Sequence, residues 1–341
     1  MFVRRLSLCL LALVTAAPAA RAQSVADFYR GKSISLVVSS APGGGYDTLS
    51  RAVARHLGRH VPGSPAVIAR NMAGAGGILA MNYIATVAPR DGLTIGQVQN
   101  NTPFEPLFGT KEANYDASKL TWLGTPSVET GLLAVWHTSK IRSLDDARKA
   151  SFTAGSSGAN SAPSFYARLL NELLGLKIKI VVGYPGLNES YLAMERGELD
   201  SFGVIFWSSL TSTKADWIKE KKIRVLLQYG PQTEAALPDV PYGPDLVKNE
   251  DDRKLFEASY APLAAGRPFV APSGLPAERA AALRSGLFDT FRDPQFLAEA
   301  ADMHLLVNKP VSGEAMQAQI VGVYRMPPRI IERLRRIAQK Q

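Results

Sequence analysis

Residues Ile34 to Arg51 read ISLVVSSAPGGGYDTLSR: a short apolar run, a Pro-Gly-Gly-Gly turn, and then Asp47 opening an amphipathic segment. A strand that ends in glycines and feeds a helix leaves a nest of backbone N–H groups at the positive end of a helix dipole, and such a nest attracts anions. Leu49, Val53 and Leu57 follow at helical spacing, so the stretch predicts a strand–helix unit. By itself the turn is equally consistent with an ordinary tight connection between strand and helix.

The unit recurs. Val67 to Ala69 predicts a second strand, followed by Asn71-Met-Ala-Gly-Ala-Gly-Gly77 and a helix carrying Leu79, Tyr83 and Ile84. Leu93 to Val98 predicts a third, running into Gln99-Asn100-Asn101-Thr102. In an open parallel sheet ligands bind at the carboxyl ends of the strands, where such loops gather. A second set begins with a strand at Leu132 to Trp136. Ser151 to Ala154 then empties into Gly155-Ser-Ser-Gly-Ala-Asn-Ser161 before a helix from Pro163 to Leu174. Ile178 to Val182, Phe202 to Phe206 and Ile223 to Gln228 complete that set, and Gly230 to Pro244, rich in Pro and Gly, suits a return crossing. The expected fold class is α/β with two domains, each a mostly parallel sheet flanked by helices. A discontinuous domain I (24–124 plus 236–341) embraces domain II (125–235), with a ligand cleft between them. The closing run RIIERLRRIAQK after Pro327-Pro328 predicts a surface helix with solvated arginines.

At the N-terminus Arg4 and Arg5 precede an apolar run from Leu6 to Val14 and the small-residue stretch TAAPAARAQ. This is the pattern of a secretory signal peptide over residues 1–22, cleaved near Ala22, and the run is too short for a hydrocarbon core that needs about 20 apolar residues. The arginine pair leaves Sec and Tat export both open. Cleavage removes Arg4, Arg5 and Arg21 and no acid, so the formal charge falls from +9 to +6. It also removes Cys9, the only cysteine, so the mature chain relies on packing rather than disulfides. The basic charge is scattered and lacks interleaved aromatics, which argues against nucleic acid.

The sequence resembles the periplasmic solute-binding proteins of tripartite tricarboxylate transporters, the Bug family. The resemblance rests on the order and spacing of several elements: Pro42-Gly43-Gly44-Gly45-Tyr46-Asp47; Asn71 with Gly74-Ala75-Gly76-Gly77 and Asp91-Gly92; Gly155-Ser156-Ser157-Gly158; Tyr184-x-Gly186 leading to Gly197-Glu198-Leu199-Asp200; and Leu237-Pro238-Asp239-Val240-Pro241. It implies a Venus-flytrap periplasmic receptor that closes on a small carboxylate. Gly43, Gly44, Asp47, Gly74, Ala75 and Gly76 would hold one carboxylate through amides and waters, with Asp47 as N-cap and water holder. Ser156, Ser157, Asn160 and Ser161 of the other domain would meet the distal end. Tyr46, where many members carry Thr or Ser, and Asn100 and Asn101, in place of small residues, put a phenol and amides near the cleft. Tyr184 and Asp200 complete the expected ligand-binding set. Implied partners are a small organic carboxylate and membrane transporter subunits, or else a membrane histidine kinase. The receptor is expected to act as a monomer with no cofactor.

Catalytic and metal signatures fail in detail. His56 and His60 have the spacing of two zinc ligands but lack the Glu of H-E-x-x-H, and Arg55 and Arg59 flank them. The PGGG loop has no Gly-Lys-Ser/Thr, Gly74 to Gly77 lacks the G-x-G-x-x-G spacing, and Ala159 stands where a nucleophile elbow needs its last glycine. The sequence therefore predicts no enzyme activity and no metal site.

Overall fold

The computed structural model describes residues 24–43, 45–156, 158, 161–184 and 187–339, the side chains of Leu187, Asn188 and Ser212 excepted. The expected leader, Gly44, Ser157, Asn160 and Gly186 lie outside the described residues. Among the described residues no helix is long and apolar enough to cross a membrane.

The run at Ile34 becomes β1 (Ser33–Val38), which pairs in parallel with β2 (Ala66–Asn71) on one side and β3 (Thr94–Gln97) on the other. Its near-continuous apolar sequence follows from burial on both faces. Ile34, Leu36 and Val38 share a core with Leu49, Val53 and Leu57 of the Gly45–Leu57 helix. Val37 points the other way, into a core with Ala80, Met81 and Ile84 of the Ile78–Thr86 helix. The sheet continues through β4 (Thr121–Thr125), β11 (Phe269–Ala271) and β12 (Val311–Ser312), giving the order β12-β4-β11-β3-β1-β2.

The second sheet comprises β5 (Gly131–Trp136), β6 (Phe152–Ser156), β7 (Ile178–Val182), β8 (Ser201–Phe202), β9 (Ile205–Phe206) and β10 (Ile223–Tyr229). Its order is β10-β5-β8-β6-β7, with β9 pairing β5. Both sheets are mixed. β1 to β3 and β6 to β8 run parallel within each sheet, whereas β11 and β12 pair antiparallel in the first and β5 pairs antiparallel to β8, β9 and β10 in the second. β4, β5, β10 and β11 are the strands through which the chain passes between the sheets.

Two crossings join the sheets, residues 126–130 and 230–268. They brace each other: the Glu129 N–H donates to the Leu263 carbonyl at 3.0 Å, and the Arg267 N–H donates to Thr125 Oγ1 at 3.0 Å. Gly266 is obligatory here, because its φ is +59° and a Cβ would lie 1.8 Å from the Ser127 carbonyl oxygen.

The C-terminal part departs from expectation. Ile330, Leu334 and Ile337 of the Pro328–Gln339 helix, and Leu255 and Phe256 of the Glu250–Ser259 helix, pack in the core of the second sheet with Phe152, Tyr166 and Leu170. Residues beyond 236 are thus shared between the two cores. Nor is the arginine face of the closing helix simply solvated. Arg329 pairs with Asp251, Arg333 with Glu172 and Asp252, and Arg335 donates to the Leu107 carbonyl. Arg168 caps the helix end, donating to the carbonyls of Ile337 and Ala338 at 2.8 and 2.9 Å.

Candidate functional site

The loop after β1 is shaped by Asp47, 3% exposed and in the first turn of the Gly45–Leu57 helix. Its carboxylate accepts from the Gly43 N–H at 2.9 Å, from Arg51 Nε at 3.0 Å and from Asn71 Nδ2 at 2.8 Å, and Asn71 Nδ2 also donates to the Ser40 carbonyl at 3.0 Å. One carboxylate therefore ties the end of β1, the end of β2 and the helix together. The Arg51 guanidinium, followed by the Gly43 and Asn71 donors, holds the Asp47 carboxyl at about 2 despite burial. Two expectations change. Asp47 lies inside the helix and braces the loop instead of capping it, and the Gly43 amide is spent on Asp47 instead of facing a ligand.

The second loop is exposed. Gly74, Ala75 and Gly76 are exposed, with φ of 151°, 45° and 63°. Ala75 holds a left-handed conformation that costs a non-glycine residue about 1 kcal/mol, strain of a kind that concentrates at ligand-facing loops. In the third loop the Asn100 N–H donates to the Tyr46 hydroxyl at 3.2 Å, so the phenol bridges first and third loops. Asn101 Nδ2 donates to Glu105 Oε1 at 2.6 Å.

On the second sheet Ser156 is fully buried, and its hydroxyl meets those of Ser161 and Ser164 at 2.7 Å each. All three hydroxyls converge on the Gly158 carbonyl, at 3.0, 2.8 and 2.8 Å. Ser156 thus folds the loop from beneath, with Ser164, which the sequence did not single out, and Ser161 lies at its surface. Tyr184 is half-buried against the core on the other face of this sheet. Asp200 belongs elsewhere: it accepts from Ser139 Oγ at 2.7 Å and from the Thr153 N–H at 2.9 Å, at the amino end of β6, away from the loop that leaves its carboxyl end. It is a brace between strands and leaves the expected site.

A cavity of about 310 Å³ lies between the sheets, where Asn100 and Asn101 from the first meet Ser161 from the second. The rest of its wall is mainly Phe108, Phe165, Tyr166, Phe206 and Leu263, with Glu105. Phe206, which beside Trp207 at a strand end suits either packing or stacking on a ligand, is on that wall, and so are Phe108 and Phe165, which the sequence does not single out. On the second crossing, Arg267 lies over the Tyr46 ring with Cζ 5.0 Å from its centre and lines a separate cavity with Ser208, Thr211, Ala301 and Leu305. Ser208 Oγ lies 2.9 and 2.8 Å from the two oxygens of Glu129. Burial raises the Glu129 carboxyl, against the opposing pull of Ser208 and Arg267, and burial likewise raises the Tyr46 phenol.

His56 and His60 meet carboxylates, not a shared ligand: His56 Nε2 lies 2.5 Å from Glu299 and His60 Nε2 2.6 Å from Asp293. With Arg55 on Glu299 and Arg59 on Asp293, they seam the Gly45–Leu57 helix to the Pro294–Asp302 helix.

Two helix-flanked sheets, two crossings and loops from both sheets around one cavity define a two-domain solute-binding protein of the periplasmic binding type. Residues 49–334 match the model of the tripartite tricarboxylate transporter family receptor, TctC, and the chain belongs to that family of solute-binding receptors. A Cupriavidus necator protein described as a UPF0065 protein in the gbd 5' region is 28% identical over 250 residues, 70% of this chain and 72% of its own. A TctC solute-binding protein from Polaromonas, solved without ligand, superposes with a TM-score of 0.70 at 16% identity, covering 92% of this chain and all of that one. Two Rhodopseudomonas palustris structures have the same fold. MatC, solved with malate, gives a TM-score of 0.57 at 18% identity over 91% of this chain and 99% of its own. Rpa4515, solved with adipate, gives 0.58 at 18% over 90% and 97%.

Proposed function

We propose that this chain is an extracytoplasmic receptor that captures a small carboxylate in the cleft between its two sheets and delivers it to a tripartite tricarboxylate-type membrane transporter. The observation that carries this reading is the cavity in which Asn100 and Asn101 face Ser161 across the sheets. Amides and a hydroxyl are suited to carboxylate capture, with water completing the contacts. The exposed glycine loop at Gly74 to Gly76 and the start of the Gly45–Leu57 helix add an anion-attracting edge. Malate and adipate in the two Rhodopseudomonas palustris relatives support a carboxylate as ligand class. Export by the leader over residues 1–22 would place the receptor in the periplasm, where it works as a monomer without catalysis.

The crossing at 126–130 and the last part of the second, 263–268, are the natural hinge, and closure would bury the ligand between the sheets. A thermal-shift screen of small carboxylates against the mature chain tests the reading. A ligand at 100 times its dissociation constant adds about 2.7 kcal/mol, a rise of a few degrees for a chain this size. If sugars or cations raise the midpoint and no carboxylate does, the reading fails.

A further inference from the structure

We propose that Glu105 makes the cavity between the sheets select a carboxylate that also carries an ammonium group on an apolar body, the chemistry of an amino acid with a hydrocarbon side chain. This rests on the carboxylate reading above and narrows its ligand class.

The ammonium follows from Glu105. It is the one charged residue among the described residues that line the cavity, and none of them is basic. Its carboxylate accepts from Asn101 Nδ2 at 2.6 Å and from Thr110 Oγ1 at 2.5 Å. Both donors are neutral, so they solvate the charge without cancelling it, and each carboxylate oxygen keeps a further acceptor site. Arg335, the cation packed on the same segment beside Gly109, donates to the Leu107 carbonyl at 2.8 Å, and no ion pair among the described residues includes Glu105. A carboxylate against an apolar wall without a counter-ion is costly, and an ammonium that reaches it offsets that cost through a charge-assisted hydrogen bond. A second ligand carboxylate at the same place meets like charge instead.

The apolar body follows from the wall beside Glu105. Phe108 lies three residues on in the same short helix, Glu105–Phe108, and its ring centre is 6.5 Å from that of Phe165. Phe108, Phe165 and Phe206 all line the cavity and are only half-buried, so they present apolar surface for a ligand to cover. Their ring faces also favour an ammonium held near them. The ligand carboxylate is left to Asn100 and to the positive end of the 13-residue Ala162–Leu174 helix, where Ser161 and Ala162 line the cavity and the Ser161 side chain makes no capping bond. A volume of about 310 Å³ accommodates a phenyl or isobutyl side chain with both head groups.

The test is calorimetric titration of the mature chain with two matched pairs, L-phenylalanine against 3-phenylpropanoate and L-leucine against 4-methylpentanoate, together with 2-phenylethylamine and adipate. Each amino acid should bind roughly tenfold to a hundredfold more tightly than the acid that lacks its ammonium, and adipate should bind more weakly than 3-phenylpropanoate. Glu105→Gln should bring each pair to within about threefold and strengthen adipate. Glu105→Asp, which keeps the charge, should retain the preference for the amino acids and carries the test should the glutamine variant lose its fold. Equal affinities within both pairs, adipate binding more tightly than every other compound, or a preference that survives unchanged in Glu105→Gln overturns the role given to Glu105 and leaves the carboxylate reading standing. If 2-phenylethylamine binds and no carboxylate does, or if nothing binds, the carboxylate reading itself fails and this inference falls with it.

Discussion

Replacing Asp47 with Asn removes the charge from the bracket that ties β1, β2 and the Gly45–Leu57 helix, while keeping its shape. The structure sets the magnitude. A carboxyl lowered from 3.8 to about 2 corresponds to roughly 2.5 kcal/mol at about 1.36 kcal/mol per unit, available only while the group is charged. The Asp47 side chain is 5% exposed, but Arg51, its largest stabilising partner, is 44% exposed, so solvent screening brings the expected loss to about 1 to 2 kcal/mol. The sign is fixed because the folded-state value is depressed. The stabilisation is complete above the unfolded-state value near 4 and is lost as pH falls through the folded-state value near 2. Urea denaturation of wild type and Asp47→Asn at intervals from pH 7 to pH 2 therefore gives a difference in stability that is flat above about pH 5 and shrinks steadily below pH 4. Other carboxylates, Asp293 and Glu299 among them, are common to both proteins and cancel. A difference that stays constant to pH 2, or widens on acidification, refutes the reasoning.

Two further outcomes follow from the packing. Leu334→Ala removes a fully buried side chain from the core of the second sheet, with an expected loss of about 2 to 5 kcal/mol in urea denaturation; a change below 0.5 kcal/mol, about what a surface substitution gives, contradicts that packing. Gly266→Ala forces a Cβ onto the Ser127 carbonyl at a left-handed backbone position, so the crossings must separate; the account expects a loss above about 2 kcal/mol, and wild-type stability would show that the crossings are not braced there.

The sequence was legible where local pattern and burial agree. β1 and the Gly45–Leu57 helix, and β6 with the Ala162–Leu174 helix, carry strong periodicity and loop glycines, and each appears within two residues of expectation. β4, β11 and β12 were not legible, because strands of two to five residues carry too little pattern and are held by pairing with segments far away in the chain. The closing helix was readable as a helix, but which sheet it covers depends on long-range partners such as Asp251 and Glu172. In the site, the loops were visible through Gly, Ser and Asn. Their internal economy was not: Asp47 consuming the Gly43 amide, Ser156 facing inward, and Asp200 bracing the far end of β6 are all matters of side-chain direction. Phe108 and Phe165 were hidden for the opposite reason, since an aromatic on a helix reads as core whether it faces a core or a cavity.

The central claim is that one carboxylate is held by loops from both sheets at once. Amide hydrogen exchange of the mature chain, with and without a saturating amount of whichever of adipate and 3-phenylpropanoate binds more tightly, tests it most directly. The account predicts that amides at 99–101 and at 161–166 gain protection together, with smaller changes at the crossing 126–130 and at the last part of the second, 263–268. Protection confined to one sheet, or found only outside the cavity lined by Asn100, Asn101 and Ser161, would contradict it.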